Sequence, residues 1–185
     1  MDYADLPSPD LASVEFISVD GEVREGVLWY GALREPGRRA TLLPNGATLT
    51  EQPDRPDAAI TSVKGWLYEP DGAVIRAHLI KELAAEIGGS QIDKTIALLT
   101  TEQHVETPFA KAYQVVDCFP FQLKRLKKYM REHKIGRLTI KKRGSPLDPQ
   151  WLEKQLKPKG AAKAMLFLTQ VAGEPTVIVC SDPAV

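Results

Sequence analysis

Residues 120–144 read PFQLKRLKKYMREHKIGRLTIKKRG, and this stretch decides the fold of the second half of the chain. In its first part the apolar residues recur at the helical period, which predicts a helix from Pro120 to about His133. In its second part apolar and polar residues alternate, which is typical of a strand over 137–142. A helix with one apolar face must bury that face, and the strand that follows at once indicates a sheet on which the helix can pack.

Further strands and a further helix flank this stretch. The predicted elements are strands at 96–99 and 110–116, a short helix opened by Asp148 and Pro149, and a closing hairpin that pairs 164–171 with 175–180. From residue 110 the order is therefore β-α-β-α-β-β. This order predicts an α+β fold, in which helices pack against a mixed or mostly antiparallel sheet.

The first third of the chain carries the signals of two hairpins. Alternation over 14–19, the turn dipeptide Asp20-Gly21 and a strand over 23–33 predict the first. A second is predicted to pair 39–43 with 47–50. The polar, proline-rich residues that follow, 51–64, are typical of a boundary. We therefore expect two domains, 1–60 and 61–185.

A helix is predicted between these regions. Asp71 is a good N-cap, the apolar residues from Val74 to Ile87 follow the helical period, and Gly88-Gly89 can end the helix in the left-handed conformation. The sequence predicts one continuous helix here.

The net charge of zero hides a strong asymmetry. Residues 1–120 contain 10 Lys and Arg against 19 Asp and Glu, whereas residues 121–185 contain 14 against 5. A surface with this density of positive charge attracts polyanions, so RNA is the first partner to consider.

The basic residues lie on two predicted elements. One group forms a stripe on the helix, opposite its apolar face, and the other lies at the end of the following strand. The predicted phosphate contacts are Lys124, Lys127, Lys128, Arg131, Lys141, Lys142 and Arg143. Further lysines follow at 154, 157, 159 and 163. The alternative is a solvated lysine-rich face that prevents aggregation and binds nothing.

Signals for catalysis or for a metal are weak. The three histidines are far apart, and Cys118 and Cys180 lie singly in apolar runs, so we expect no metal site and no catalytic residue, and reduced, buried thiols. Trp66 and Tyr68 could stack on a base, although packing is the commoner role of such residues. No apolar run approaches the length of a membrane span, and we expect a cytoplasmic protein with no membrane partner.

Two blocks carry a family resemblance. Residues 65–77, GWLYEPDGAVIRA, and 135–144, IGRLTIKKRG, resemble the C-terminal half of actinobacterial class I S-adenosylmethionine-dependent methyltransferases that end in a THUMP-like domain. The segments 107–112 and 164–183 are also similar, so the resemblance covers about 62–183. Residues 13–50 resemble the closing antiparallel strands of the methyltransferase sheet.

The resemblance implies an accessory role. The parent protein would bind S-adenosylmethionine and methylate a substrate such as tRNA or rRNA, and this chain would be a C-terminal fragment that holds RNA, with no cofactor site or catalytic residue of its own. Its partners would be RNA and the methyltransferase domain, and exposed strands near Val27 and Trp29 could also form a homodimer. The alternative is a scaffolding module that docks the methyltransferase domain or mediates oligomerisation.

Overall fold

The structure is a computed structural model that describes residues 11–181. Within this range it contains eleven strands, four α-helices and a short 3-10 helix at Gly31–Leu33. The elements are β1 (Ala12–Val19), β2 (Glu22–Tyr30), β3 (Arg38–Leu43), β4 (Ala47–Thr50), β5 (Trp66–Pro70), α1 (Gly72–Arg76), α2 (Ile80–Glu86), β6 (Ser90–Asp93), β7 (Ile96–Thr101), β8 (Ala110–Pro120), α3 (Leu123–Glu132), β9 (Ile135–Lys142), α4 (Pro149–Leu156), β10 (Ala162–Val171) and β11 (Glu174–Cys180). The α+β class is confirmed.

The chain forms two compact units that interleave along the sequence. Among the described residues, the first unit consists of 11–59, 68–90 and 105–111, and the second of 60–67, 91–104 and 112–181. The division into domains 1–60 and 61–185 stays a prediction.

The first unit contains a four-stranded sheet with the order β2-β1-β3-β4. Both predicted hairpins are present, and Asp20 and Gly21 have the positive φ that the tight turn of the first one requires. β1 and β3 pair in parallel, a long-range contact for which the sequence carries no local signal. Val14, Phe16 and Ala40 bury the inner face of this sheet.

The helix predicted from Asp71 to Ile87 is wrong as one element. Asp71 does cap it by accepting a hydrogen bond from the Ala73 amide at 2.8 Å, but His78 has φ +56° and divides it into α1 and α2. The reason is burial. Ala77 and Leu79 are both fully buried, and two residues two positions apart point to different sides of a straight helix. The break places both of them in the core.

The second unit is built on a seven-stranded sheet with the order β6-β7-β5-β8-β11-β10-β9. The β10–β11 hairpin is antiparallel as predicted, β11 pairs antiparallel with β8, and β9 pairs in parallel with β10. α3 begins at Leu123 rather than at Pro120, because Gln122 is still in an extended conformation.

The sheet of the second unit has a core on each face. On one face Leu166 and Leu168 of β10 belong to the cluster that contains the buried residues of α3 and α4. On the other face Met165 and Phe167 pack with Tyr113. Since successive side chains of a strand point to opposite faces, β10 is buried on both. Because β9 pairs with β10, each side chain of β9 faces one of these two cores.

Candidate nucleic-acid interface

α3 presents one buried and one basic side. Leu126 and Met130 are buried in the core, whereas the four cations predicted as phosphate contacts, Lys124, Lys127, Lys128 and Arg131, are all exposed. Lys128 forms an ion pair with Glu132 one turn later, with 3.7 Å between Nζ and Oε1. An exposed pair of this kind contributes little, so the stripe keeps most of its positive potential.

α4 lies beside this basic side. Asp148 caps α4 by accepting hydrogen bonds from the amides of Gln150 and Trp151 at 2.7 and 3.1 Å. Leu152 and Leu156 anchor the helix in the core that also holds α3. Lys157 ends it with φ +45°, a left-handed cap that turns the chain back toward β9.

Two glycines hold the loop after α4 against the start of β9. A side-chain carbon on Gly136 would lie 2.0 Å from the carbonyl oxygen of Gly160, and one on Gly160 would lie 1.9 Å from that of Lys134. Any other residue at either position would clash with the backbone. The Ala162 amide donates to the Lys134 carbonyl at 3.1 Å and fixes the contact. This close approach determines where the lysines of the loop lie.

A pocket of about 330 Å³ opens between α3, the end of α4 and this loop. Four of the described residues that line it are cationic and none is acidic: Lys127, Met130, Arg131, Ile135, Gln155, Leu156, Lys157, Pro158 and Lys159. We call it the basic pocket. Four positive charges around one concave surface focus a positive potential, which suits a phosphate or a run of phosphates.

The cations on β9 are arranged differently. Lys141 is half-buried, its Nζ donates to the Tyr113 hydroxyl at 2.8 Å, and it lies 5.1 Å from the centre of the Tyr113 ring. It therefore lies on the sheet face opposite α3, because Tyr113 belongs to the other core. Lys142 and Arg143 are exposed at the end of β9, about 23 Å along the strand from Ile135.

The seven predicted contacts thus do not form one surface. The structure brings Lys127 and Arg131 together with Lys157 and Lys159, two lysines that the sequence shows as part of the basic run but not as neighbours of α3. The signal that could have indicated them is the glycine of Lys157-Pro158-Lys159-Gly160, which permits a close approach of two backbones.

Trp66 and Tyr68 of β5, the two residues predicted as possible stacking partners of a base, differ in how deeply they are buried. The Tyr68 ring is fully buried, and its hydroxyl accepts from the amide of Val105 at 2.6 Å and donates to the carbonyl of the same residue at 3.1 Å. Trp66 is half-buried, with its ring centre 4.5 Å from that of His104. Tyr68 is therefore a packing residue.

Of the two thiols predicted to be buried, Cys180 is buried, whereas Cys118 is only half-buried. Burial raises the pKa of Cys118 to about 11 and that of Cys180 to about 12, with smaller contributions from Asp117 to the first and from Cys118 to the second. Thiols with such pKa values are poor nucleophiles and poor metal ligands at neutral pH.

Within residues 11–181 no group of three His, Cys, Asp or Glu side chains is placed to hold a metal ion. In the same range no helix is long and apolar enough to cross a membrane.

The fold is shared with a methyltransferase-like protein. A crystal structure of a candidate methyltransferase from Porphyromonas gingivalis W83 superimposes with a TM-score of 0.75 over 93% of this chain and 46% of that chain, at 20% sequence identity. At this identity the likeness establishes the fold alone. This chain therefore has the same fold as a region that makes up about half of that larger protein.

The sequence comparisons bear on the family. Residues 110–182 match the family described as THUMP domain-like. The chain is also 31% identical, over 161 residues, to an uncharacterized S-adenosylmethionine-dependent methyltransferase of Mycobacterium tuberculosis, found in strains CDC 1551 and H37Rv. The match covers 85% of this chain but 44% of the length of those relatives. The predicted resemblance is confirmed.

Proposed function

We propose that this chain is an accessory domain of an S-adenosylmethionine-dependent methyltransferase and that it holds the RNA substrate through the basic pocket and the exposed side of α3. The observation that carries the proposal is the convergence of Lys127, Arg131, Lys157 and Lys159 on one pocket with no acidic residue in its described lining. The cofactor and the transfer step would belong to the rest of the parent protein, as the names of its relatives suggest.

Phosphate is the ligand group that this pocket suits best. Lysine and arginine side chains contact phosphates without reading base sequence, so the domain would position RNA while another site selects the base. Lys142 and Arg143 could extend the contact along a longer RNA, since both are exposed at the end of β9. Lys141 would contribute little, because its ammonium group is already held by Tyr113.

The test is the binding of a fluorescently labelled tRNA-sized hairpin, measured by anisotropy at several salt concentrations. The variant Lys127→Gln/Lys159→Gln removes two cations of the pocket. If each contacts one phosphate of the double-stranded stem, the slope of log K against log salt becomes shallower by about 1.8, and binding at 0.1 M salt weakens about 60-fold.

The matched control is Arg76→Gln/Lys94→Gln, which removes two exposed cations that do not line the pocket. It should change binding by less than about threefold, because only general attraction is reduced. Equal losses in the two variants, or no binding by the unaltered chain at low salt, would refute the proposal. The variant Lys142→Gln/Arg143→Gln then tests whether the end of β9 takes part.

A second candidate function is protein docking through β2. In the described part of the first unit, β2 forms one edge of the sheet, and two apolar side chains at its end, Tyr30 in the last strand position and Leu33 just after the strand, are 55% and 69% exposed. Edge strands with exposed apolar residues pair readily with another chain. The predicted apolar residues Val27 and Trp29 are half-buried instead, and the Trp29 indole donates to Glu15 at 2.9 Å.

A further inference from the structure

A second pocket, in the first unit, is lined by two residues that each carry one buried polar atom with no hydrogen-bond partner among residues 11–181. It has a volume of about 270 Å³, and Leu49, Arg55, Glu82 and Ala85 are among the residues that line it. Within residues 11–181, neither Oε2 of Glu82 nor Nε of Arg55 has a hydrogen-bond partner, although both atoms are buried. We call this the Arg55–Glu82 pocket.

Glu82 is the less usual of the two groups. Its side chain belongs to a residue that is only 3% exposed, and just one of its carboxylate oxygens is used, since Oε1 accepts from the Gln52 amide at 3.2 Å. A buried carboxylate oxygen without a donor is unfavourable, and native proteins retain few of them. Glu86 in the same pocket differs, because it is exposed and accepts from the Thr107 hydroxyl at 2.8 Å.

The two unpartnered atoms are complementary. Oε2 of Glu82 needs a donor, and Nε of Arg55 needs an acceptor. A neutral, flat group with an N–H next to a ring nitrogen or carbonyl oxygen supplies both, and the lining side chains of Leu49 and Ala85 can contact its apolar face. The amino group of cytosine or adenine beside its ring nitrogen has this pattern. Guanine fits less well, because its two adjacent donors call for both carboxylate oxygens and Gln52 occupies one.

We propose that the Arg55–Glu82 pocket binds one unpaired nucleobase with an exocyclic amino group, cytosine or adenine. Glu82 accepts from the amino group, and Arg55 donates to the neighbouring ring acceptor. The choice of a nucleobase over other amide-like ligands rests on the proposed function. The pocket would then give base selectivity to a domain whose phosphate contacts read no sequence.

The test uses free nucleosides, which carry no phosphate and so do not require the basic pocket. Cytidine is titrated into ¹⁵N-labelled protein, and the Gln52 amide, bonded to Glu82, is the local reporter. We expect saturable shifts of this amide with a dissociation constant on the order of 1 mM. The matched ligand is N4,N4-dimethylcytidine, which lacks the donor and should bind at least tenfold more weakly.

Two variants locate the contact. Glu82→Gln keeps an acceptor for Gln52 but turns the free oxygen into a donor, and Arg55→Lys keeps the charge but removes the Nε–H group. Each should weaken cytidine binding about tenfold, and Arg55→Lys serves if Glu82→Gln does not fold. Lys127→Gln/Lys159→Gln should bind cytidine unchanged, which separates this inference from RNA binding by the basic pocket.

The outcomes are distinct. Binding of cytidine or adenosine that is weakened about tenfold in both variants, and at least tenfold weaker for the dimethylated nucleoside, supports the inference. No nucleoside binding, equal binding of the dimethylated compound, or preferential binding of methylammonium would overturn it, the last because the pocket would then be a cation site. Loss of RNA binding in the basic-pocket variant, together with unchanged cytidine binding, would leave both proposals standing.

Discussion

Asp93 offers the sharpest test of how the second unit is held together. It ends β6, is 4% exposed, and accepts three hydrogen bonds: from the amide and the hydroxyl of Thr95, both at 2.8 Å, and from the Gly173 amide at 2.7 Å. Gly173 lies in the β10–β11 turn, where the adjacent Ala172 amide also donates to Ile92 at 3.0 Å. One carboxylate therefore joins two turns that are 80 residues apart in sequence.

The expected cost of removing this carboxylate follows from its bonds. Hydrogen bonds to a charged group contribute about 1.5–3 kcal/mol each, but three bonds to one group are not additive. For Asp93→Ala we expect the free energy of unfolding to fall by about 3–4 kcal/mol, since the Gly173 amide loses its partner. Asp93→Asn keeps one acceptor oxygen and should cost about 2 kcal/mol.

The measurement is urea denaturation followed by tryptophan fluorescence in a Trp29→Phe background, because the two remaining tryptophans, Trp66 and Trp151, both lie in the second unit. Asp57→Ala, at an exposed position of the first unit, is the control and should change the free energy by less than about 0.5 kcal/mol. If Asp93→Ala costs under about 1 kcal/mol, the carboxylate does not join the two turns as we argue.

The pH dependence gives an independent check. Burial raises the pKa of Asp93, but the hydrogen bonds from Thr95 and Gly173 outweigh it and hold the pKa below its ordinary value. A lowered native pKa means that the stabilisation is complete above the unfolded pKa, near about 4, and is lost as the pH falls through the native value. The stability difference between the unaltered chain and Asp93→Asn should thus be constant from pH 5 to 8 and shrink below about pH 4.

Two further predictions concern the thiols and the sheet edge. Because burial raises the pKa values of the half-buried Cys118 and the buried Cys180 to about 11 and 12, iodoacetamide at pH 8 should label neither thiol in the native protein within an hour and both in urea, as mass spectrometry would show. Rapid native labelling would contradict these raised pKa values. If β2 pairs with a second copy, sedimentation at tens of micromolar should detect a dimer that Tyr30→Lys abolishes. A monomer at all concentrations would exclude pairing through this edge.

The elements that the sequence predicts well are those with a strong local pattern. α3 and β9 follow from one apolar face and one alternation, and the Asp148 cap and the Asp20-Gly21 turn follow from local hydrogen-bond geometry and backbone preference. The predicted single helix over 71–87 is wrong because its local pattern does not show what the core requires. Its apolar residues fit one helix face, but the core also takes Leu79, and only tertiary packing decides that.

The candidate sites depend more on tertiary structure. The basic stripe of α3 is visible in the sequence, whereas its neighbours Lys157 and Lys159 reach it because Gly136 and Gly160 let two backbones meet. The alternation of apolar and polar residues in β9 correctly predicts that Lys141 lies on one face of the strand and that Leu138 and Ile140 lie on the other. It cannot show that the face of Lys141 is covered by Tyr113, because a strand's own pattern does not reveal what packs over its polar side.

By itself the sequence determined the α+β class, the family resemblance, the amphipathic helix and the concentration of positive charge, because each of these is written in local periodicity, composition or motif. Only the tertiary structure decided which cations share a pocket, which of them is withdrawn into a core, and that Arg55 and Glu82 line one cavity. The physical reason is that a site is a meeting of side chains from distant segments, and such meetings are fixed by packing and backbone approach rather than by neighbouring residues.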